Sequence, residues 1–225
     1  MDALLLAAGR GERLRPLTDS LPKPLLEAGG QSLIEHRIRA LVAAGVTQIV
    51  VNHAHLGELI RERLADGEKL GAQIRYSDES DGALETGGGI VHAMPLLQSD
   101  PFLVVNADIW TDYSFSGLLT RDVDLAHLIL VNNPDHHAAG DFCLQDERVT
   151  NCNAANGERL TFSGIGVYRR ALFSGNHPAR FSLTPLLRSA CDETRVSGEY
   201  YRGRWIDVGT LQRLNELRAW LAAET

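Results

Sequence analysis

The chain has 225 residues, a formal net charge of −7, 44% hydrophobic residues and 23% charged residues. This length suits one domain, which we expect to cover residues 1–225. The acidic balance argues against non-specific nucleic-acid binding. No apolar stretch reaches the roughly 20 residues that a membrane-spanning helix needs, so neither nucleic acid nor membrane is expected as a partner.

The cysteines and histidines suggest no metal or disulfide framework. Cys143, Cys152 and Cys191 match no Cys-x-x-Cys spacing, and we predict that all three are reduced and structural. Reduced cysteines are typical of intracellular proteins, and the N-terminus lacks the basic region of a signal peptide. We therefore predict a cytoplasmic location. None of the eight histidines has the spacing of a zinc site.

The first half of the chain alternates buried strands with amphipathic helices. Strands are predicted over Ala3–Ala7, Gln48–Asn52, Gln73–Tyr76 and Pro101–Asn106, and helices over Ser32–Ala44, Leu56–Leu64 and Gly87–Leu97. Ser32 is a predicted N-cap, with Glu35 three residues later completing a capping box. Such β-α-β alternation predicts a parallel sheet.

The second half is richer in strands. The pattern predicts a hairpin or small lobe beginning in Asp141–Val149, strands over Leu125–Val131 and Thr161–Tyr168, and helices over Leu183–Cys191 and Leu211–Leu221. Asp207 lies shortly before the last helix.

The segment Leu4–Pro24 joins the first strand to a loop with Gly9 and Gly11, followed by the cations Arg10, Arg13, Arg15 and Lys23. A glycine turn followed by cations is typical of phosphate binding. From spacing alone, an ordinary strand-to-helix turn with solvated arginines is equally compatible. The dinucleotide fingerprint is excluded because Leu14 occupies the position of its third glycine, and no Walker A motif is present.

Acidic side chains also fall at predicted strand ends. Asp108 follows a buried strand, and the loop Ser77–Glu85 follows another. Since ligands bind at the carboxyl ends of parallel strands, we expect these features to share one rim with the glycine loop. Asp108 and Asp207 are the candidate ligands for Mg²⁺, although an aspartate after a strand often only caps a turn. Asp112 is a weaker competitor, and Asp207 can contribute only if the fold brings it alongside.

Several segments resemble the sugar-1-phosphate nucleotidyltransferases. The loop reads Gly9-x-Gly11-x-Arg13-x-x-Pro16-Leu17-Thr18, followed by Pro22-Lys23-Pro24, and is similar to the signature of that family. Asp108 in VVNADIW and Asp207 in WIDVGT resemble its two metal-binding aspartates. LETGGG, residues 84–89, resembles its base- and ribose-contacting segment. The similarity covers nearly the whole chain in the same order.

The resemblance implies an α/β fold of Rossmann-like, GT-A type, with a mostly parallel sheet flanked by helices and a small β-rich sugar-binding lobe. Residues 1–110 would form the nucleotide-binding half and residues 111–225 the sugar-binding half. It implies a reaction of UTP with a sugar 1-phosphate that gives a UDP-sugar and pyrophosphate with Mg²⁺. We expect a monomer or small homo-oligomer.

The resemblance also assigns expected roles to residues of this chain. They are Arg13 and Lys23 as catalytic residues; Ala7, Ala8, Gly9, Gly11, Glu85 and Gly87 as nucleotide-binding residues; Asp108 and Asp207 as metal ligands; and Asp141, Glu199 and Arg202 as sugar-binding residues. Larger members carry a Glu-Lys-Pro segment in the sugar lobe, which this chain lacks. Its sugar contacts are therefore the least defined part of the expectation.

Within the family, the segments ETGGGI, NADIWTDY, NNPDHHAAGDF and SGEYYRGRWIDVGT are most similar to uridylyltransferases of cell-wall sugar recycling. That branch implies N-acetylmuramate α-1-phosphate as the sugar substrate. The alternatives within the family are a mannose-1-phosphate guanylyltransferase and a glucose-1-phosphate thymidylyl- or uridylyltransferase. A non-catalytic nucleotide- or sugar-binding regulatory subunit is the alternative from another class.

Overall fold

A computed structural model describes residues 1–152 and 158–223. The strands are β1 Ala3–Leu6, β2 Glu27–Ala28, β3 Gln31–Ser32, β4 Gln48–His53, β5 Gln73–Asp78, β6 Phe102–Asn106, β7 Ile109–Thr111, β8 Ala126–Val131, β9 Phe142–Gln145, β10 Arg148–Thr150, β11 Glu158–Tyr168, β12 Val196–Tyr200 and β13 Trp205–Asp207. The α-helices are α1 Leu17–Ser20, α2 Leu33–Ala43, α3 Gly57–Leu64, α4 Glu85–Ala93, α5 Thr184–Asp192 and α6 Leu211–Ala222. None of these helices has the length and apolarity that crossing a membrane would require.

The first half of the chain forms the parallel part of the main sheet. Its strands lie in the order β5-β4-β1-β6, and each neighbouring pair is parallel. The predicted parallel sheet is thus confirmed for this half. The strand order reverses between β1 and β6, and a crevice forms at such a switch point, outside the carboxyl ends of the strands.

The prediction of a mostly parallel sheet is wrong for the molecule as a whole. In residues 1–152 and 158–223 the main sheet has nine strands, in the order β5-β4-β1-β6-β11-β8-β12-β10-β9, and it is mixed. The long strand β11 lies between β6 and β8 and runs antiparallel to both. Because β11 also pairs with β9, the strands β11, β8, β12, β10 and β9 close into a small five-stranded barrel, which is the β-rich part of the second half.

The core lies on both faces of the sheet, because successive residues of a strand point to opposite faces. Leu5, which is fully buried, belongs to the apolar cluster that includes the inner faces of α2 and α3. Its neighbour Leu4 belongs to the cluster that includes α4 and α5. Helix α2 begins at the predicted cap: the Ser32 side chain accepts from the Glu35 N–H and the Glu35 side chain accepts from the Ser32 N–H.

A short ribbon connects the two halves. Strands β7 and β13 pair antiparallel, with Ile206 opposite Trp110. These two residues pack with α6 in a third apolar cluster. The ribbon follows Asp108 in one strand and ends at Asp207 in the other, so it brings together segments that are far apart in the sequence.

The prediction of three reduced cysteines is wrong. Cys143 and Cys152 form a disulfide between β9 and the end of the β9–β10 hairpin, while Cys191 is a free thiol on the buried face of α5. Hairpin pairing brings the two sulfur-bearing residues together, since Cys143 lies opposite Thr150. The spacing in the sequence did not reveal this. The predicted cytoplasmic location consequently loses the support that it took from the cysteines.

Gly88 sets how closely α4 approaches the chain segment before α5. The N–H groups of Gly87 and Gly88 both donate to the Phe181 carbonyl, at 3.0 and 3.2 Å. A Cβ on Gly88 would lie 1.9 Å from the Ala179 carbonyl oxygen. We expect Gly88→Ala to lower the free energy of unfolding by about 1–3 kcal/mol, as measured by urea denaturation. Gly117→Ala is the control, since its Cβ would meet no atom within 4 Å; equal losses in both variants would contradict the prediction.

Candidate active site

A cavity of about 200 Å³ lies at the carboxyl ends of β1, β4 and β6. Its lining comes from the strand ends, the glycine loop, the loop after β5 and the start of α4: Leu6, Ala7, Ala8, Gly9, Lys23, Pro24, Asn52, Glu79, Ala83, Glu85, Thr86, Asn106 and Asp108. The expected common rim is therefore present. This position is the switch point of the parallel strands, where α/β proteins bind their ligands.

A buried network that the sequence did not reveal shapes the inner wall of this cavity. Asn52 ends β4 and is 2% exposed. Its Oδ1 accepts from the Ala7 N–H at 2.6 Å, and its Nδ2 donates to Glu79 Oε1 at 2.6 Å. The other oxygen of Glu79 accepts from the Leu84 N–H at 3.0 Å. The network thereby ties the ends of β1, β4 and β5 to the segment before α4. The sequence did offer one signal: two strands each have an asparagine at or next to the carboxyl end, Asn52 in β4 and Asn106 in β6.

We expect Asn52→Leu to lower the free energy of unfolding by about 1–3 kcal/mol, because it removes the hydrogen-bond partners of the Ala7 N–H and of Glu79 Oε1. The affinity for the nucleoside triphosphate should fall with it, since Ala7 lines the cavity. Urea denaturation and calorimetric titration measure the two effects. Gln48→Ala is the control on the same strand, where the side chain makes an exposed contact with Gln73. A variant with wild-type stability and affinity would contradict the role of Asn52.

The glycine loop folds back on the segment that carries Lys23. Gly11 has φ +68°, in the left-handed region that favours glycine. Its Cβ position lies 3.1 Å from Lys23 Cβ and 3.0 Å from Thr18 Cγ2. Thr18 donates to the Gly11 carbonyl at 2.9 Å. Gly11 therefore shapes the turn and packs against the stem of Lys23.

The four cations of this segment have different environments. Arg10 and Arg15 both form salt bridges with Asp19, at 3.1 and 2.8 Å. Lys23 is 8% exposed, and its Nζ lies 2.5 Å from Asp108 Oδ2. Arg13 is exposed and forms no hydrogen bond or salt bridge with the part of the chain that the structure describes. Three of the four cations are thus paired with a carboxylate, and Arg13 and Lys23 are the two that line the cavities.

The β7–β13 ribbon places Asp207 beside Asp108. The Val208 N–H donates to the Asp108 carbonyl at 2.8 Å, and both aspartates line a second cavity of about 390 Å³. Asp207 Oδ1 accepts from Arg213 Nη1 at 2.7 Å and lies 3.0 Å from His136 Nε2. The fold therefore places Asp207 beside Asp108. From the sequence, this proximity could be expected only if the sheet brought the two segments together. Arg213 and His136 are site residues that the sequence did not reveal.

Three cavities join into one continuous tract. The first and second share Asn106 and Asp108. The second shares Arg13, His136 and Asp207 with a third cavity of about 500 Å³ at the start of α6. The tract therefore runs from the glycine loop, past the two aspartates, to Arg13 and Arg213. Lys23, Arg13 and Arg213 lie along this tract, so an elongated ligand would meet a cation in each of its parts.

The aspartate pair fits Mg²⁺. One oxygen of each carboxylate is engaged by a cation, Asp108 Oδ2 by Lys23 and Asp207 Oδ1 by Arg213. Within residues 1–152 and 158–223, no cluster of three or more His, Cys, Asp or Glu side chains could hold a metal ion. Two hard carboxylate ligands without a complete protein cage are what Mg²⁺ uses when phosphates and water supply its other positions.

The three candidate sugar contacts lie in the second half, and none of them is among the residues that line the three cavities. Asp141 accepts from the Phe162 N–H at 2.9 Å, and its other oxygen lies 2.9 Å from His137 Nε2. Glu199 Oε1 accepts from the Tyr113 hydroxyl at 2.6 Å. Arg202 stacks its guanidinium 4.7 Å from the centre of the Tyr200 ring.

Glu199 has a further buried neighbour. His127 is fully buried, donates to or accepts from Ser197 Oγ at 2.8 Å, and lies 3.9 Å from Glu199 Oε2. Burial, with the nearby Arg121 cation, lowers the pKa of His127 to about 4. The imidazole is therefore neutral at pH 7, and it forms no ion pair with Glu199.

The two nucleotide-contact candidates in α4 occupy different places. Glu85 lines the first cavity and forms a salt bridge with Arg180 at 2.9 Å. Gly87 is buried, and its N–H donates to Phe181 rather than to the cavity. A Cβ on Gly87 would lie 2.3 Å from the Phe181 ring. Close packing against this ring therefore accounts for a glycine at position 87.

A family model for nucleotidyl transferases matches residues 2–143. The chain belongs to the nucleotidyl transferase family. It is 47% identical to the N-acetylmuramate alpha-1-phosphate uridylyltransferase of Neisseria meningitidis, over 99% of both chains. It is 35% identical to the protein of the same name from Caulobacter vibrioides, over 99% of this chain and 95% of that protein. The inositol-1-phosphate CTP transferase of T. maritima has the same fold, with a TM-score of 0.77 at 18% identity over 98% of this chain and 95% of that one.

Proposed function

We propose that this protein transfers the uridylyl group of UTP to N-acetylmuramate α-1-phosphate, giving a UDP-sugar and pyrophosphate. One observation supports the reaction class above all others: Lys23, Asp108, Asp207 and Arg13 line a single tract at the switch point of the sheet. The choice of base and sugar rests on the two full-length relatives. An enzyme with these substrates would act in the recycling of cell-wall sugars.

The reaction needs no general base. An oxygen of the sugar 1-phosphate attacks the α-phosphorus of UTP, the bond from that phosphorus to the bridging oxygen breaks, and the electron pair leaves with pyrophosphate. A phosphate monoester has a second pKa of about 6, so the nucleophile is largely ionised at pH 7. The obstacle is to bring anions together, and catalysis is then mostly positioning and electrostatic stabilisation.

The cations of the tract supply that stabilisation. Lys23 would contact the α-phosphate or the incoming sugar phosphate, since its Nζ already lies at the carboxylate of Asp108. Arg13 would bind the triphosphate beyond that point, because its guanidinium has no partner in the described residues. Asp108 and Asp207 would hold Mg²⁺, which supplies charge neutralisation to the reacting phosphates when bound.

The first cavity would receive the nucleoside. Ala7, Ala8 and Gly9 follow β1 and present backbone to it, while Glu85 enters from α4. Gly11 would contribute by shaping the loop. Gly87 would act indirectly, through the packing that places α4.

The sugar would occupy the side of the tract that the second half builds. Asp141 and Glu199 would accept hydrogen bonds from sugar hydroxyl groups. N-acetylmuramate carries a lactyl carboxylate, for which Arg202 is the candidate cation. If Arg202→Ala lowered turnover of muramate and glucosamine substrates equally, Arg202 would not read the carboxylate.

The decisive experiment is a grid of sugar 1-phosphates against the four nucleoside triphosphates with Mg²⁺, with pyrophosphate release as the readout. We expect the highest kcat/KM for UTP with N-acetylmuramate α-1-phosphate. If kcat/KM were highest for GTP with mannose 1-phosphate, or for dTTP with glucose 1-phosphate, the proposed substrates would be wrong but the proposed reaction class would stand. No release with any pair would favour a regulatory, non-catalytic protein.

A further inference from the structure

We infer that Arg213 forms a diphosphate-binding pair with Arg13, and that this pair binds the terminal diphosphate of the nucleoside triphosphate, which leaves as pyrophosphate. The inference rests on the proposed function, and it assigns a role to a residue of the last helix that lies 200 positions from Arg13.

Arg213 is held rigidly at the start of α6. Its N–H donates to Oγ1 of the helix cap Thr210 at 3.3 Å, and its side chain is 11% exposed. Nη1 donates to Asp207 Oδ1 at 2.7 Å. Nε is buried without a hydrogen-bond partner. A guanidinium fixed in this way keeps its Nη2 directed toward the same place in every molecule, which lowers the entropy lost when a ligand binds.

Gly209 lies between the guanidinium groups of Arg213 and Arg13, and its position limits how far apart they can be. A Cβ built on Gly209 would lie 2.2 Å from Arg213 Nη2 and 2.9 Å from Arg13 Nη2. The sum of these two distances, 5.1 Å, is an upper bound on the separation of the two nitrogen atoms. Two guanidinium groups this close repel each other unless an anion lies between or beside them. Glycine at position 209 leaves the space between them open.

Both guanidinium groups face the third cavity of the tract, which has about 500 Å³. Its other titratable groups are His136 and the carboxyl groups of Asp135, Asp207 and Glu216. Asp207 is held by Arg213, while Asp135 and Glu216 are exposed. Their charges are therefore solvated, as is that of the exposed Arg13, whereas Arg213 is the cation of this cavity that water screens least, since its side chain is 11% exposed.

The position of this cavity selects the ligand. It lies at the opposite end of the tract from the nucleoside cavity, with Asp108 and Asp207 between them. The terminal phosphates of a triphosphate are the part farthest from the base. They also carry the charge that grows when the bond to the α-phosphorus breaks. Planar guanidinium forks bind such oxygens with two parallel hydrogen bonds.

Inorganic pyrophosphate is the probe that tests the pair directly. We expect Arg213→Ala to weaken calorimetric binding of pyrophosphate about 10- to 100-fold, with and without Mg²⁺, as loss of a charged hydrogen-bond donor implies. Arg213→Lys should recover part of the affinity. Arg39→Ala is the matched control, since Arg39 is an exposed arginine of α2 that lines none of the three cavities, and this variant should bind pyrophosphate as the wild type does.

Kinetics of the reverse reaction provide the second readout. In Arg213→Ala we expect KM for pyrophosphate to rise about 10-fold or more while KM for the UDP-sugar stays within about twofold. Gly209→Ala keeps both arginines but places a methyl group between them, and it should weaken pyrophosphate binding as well. This variant keeps the inference testable if Arg213→Ala fails to fold.

One pattern would overturn the inference. If Arg213→Ala bound Mg²⁺ alone more weakly but bound pyrophosphate without metal as the wild type does, Arg213 would act only by positioning Asp207. Unchanged pyrophosphate binding in both Arg213→Ala and Gly209→Ala would overturn it too. The calorimetric titration does not depend on turnover. If the protein bound pyrophosphate through Arg213 but formed no sugar nucleotide, the proposed function would be contradicted and the diphosphate-binding role of Arg13 and Arg213 would still be supported.

Discussion

Lys23→Ala is expected to lower kcat by about 10²–10³, the usual cost of removing one preorganised charge from a transition state. Lys23 Nζ lies 2.5 Å from Asp108 Oδ2 and is largely buried at the junction of the first two cavities. In that position its charge is screened little by water, so it acts strongly on phosphates that are losing and gaining bonds. Initial rates of pyrophosphate release at saturating UTP and sugar 1-phosphate measure the effect.

The chain provides an unusually clean control, because it contains only one other lysine, Lys69. Lys69 is exposed, and Lys69→Ala should keep wild-type kcat. Lys23→Ala also leaves Asp108 without its cation, so the free energy of unfolding has to be measured beside the rate. A variant that folds as stably as the wild type and keeps near-wild-type turnover would contradict the catalytic role.

Asp108→Asn and Asp207→Asn are each expected to lower kcat by about 10²–10³ and to raise the Mg²⁺ concentration that gives half-maximal rate. The substitution keeps the size of the side chain but removes the negative charge that a hard cation prefers. If both carboxylates serve one ion, the double variant should lose little more activity than either single variant, since residues that act as a unit are not additive.

Asp122→Asn is the matched control for this series. Asp122 is fully exposed and lies 3.9 Å from Arg169, so the same chemical change there should alter neither rate nor Mg²⁺ dependence. Mn²⁺ binding to the protein without substrates is a second readout. If the losses in the two single variants multiplied in the double variant and Mn²⁺ affinity stayed unchanged, the aspartates would not share a metal ion.

Local pattern was sufficient for the first half of the fold. The strand and helix periodicity there predicted β1, β4, β5, β6 and the helices between them within a few residues, because β1, β4 and β6 are buried on both faces and each helix has one apolar face. The capping box at Ser32 and Glu35 was predicted and is present. Parallel pairing follows from the alternation itself, and with it the common rim of Gly9, Lys23 and Asp108.

The second half was less predictable because its contacts are non-local. Strand β11 inserts antiparallel between β6 and β8, and its far end closes the five-stranded barrel with β9. No local spacing distinguishes such a strand from one that extends a parallel sheet. The Cys143–Cys152 disulfide depends on a hairpin register in the same way.

The sequence by itself indicated the reaction class through a resemblance, since the glycine loop, Lys23 and the segments around Asp108 and Asp207 match contiguous motifs of a known family, whereas their spacing alone left phosphate binding open. Only the tertiary structure decided that Asp207 lies beside Asp108, that Asn52 and Glu79 support the glycine loop, and that Arg213 reaches Arg13. Each of these pairs joins side chains that are dozens to hundreds of positions apart. Their distances depend on how β7 pairs with β13 and how α6 packs on that ribbon, which are properties of the assembled core and not of any local stretch of chain.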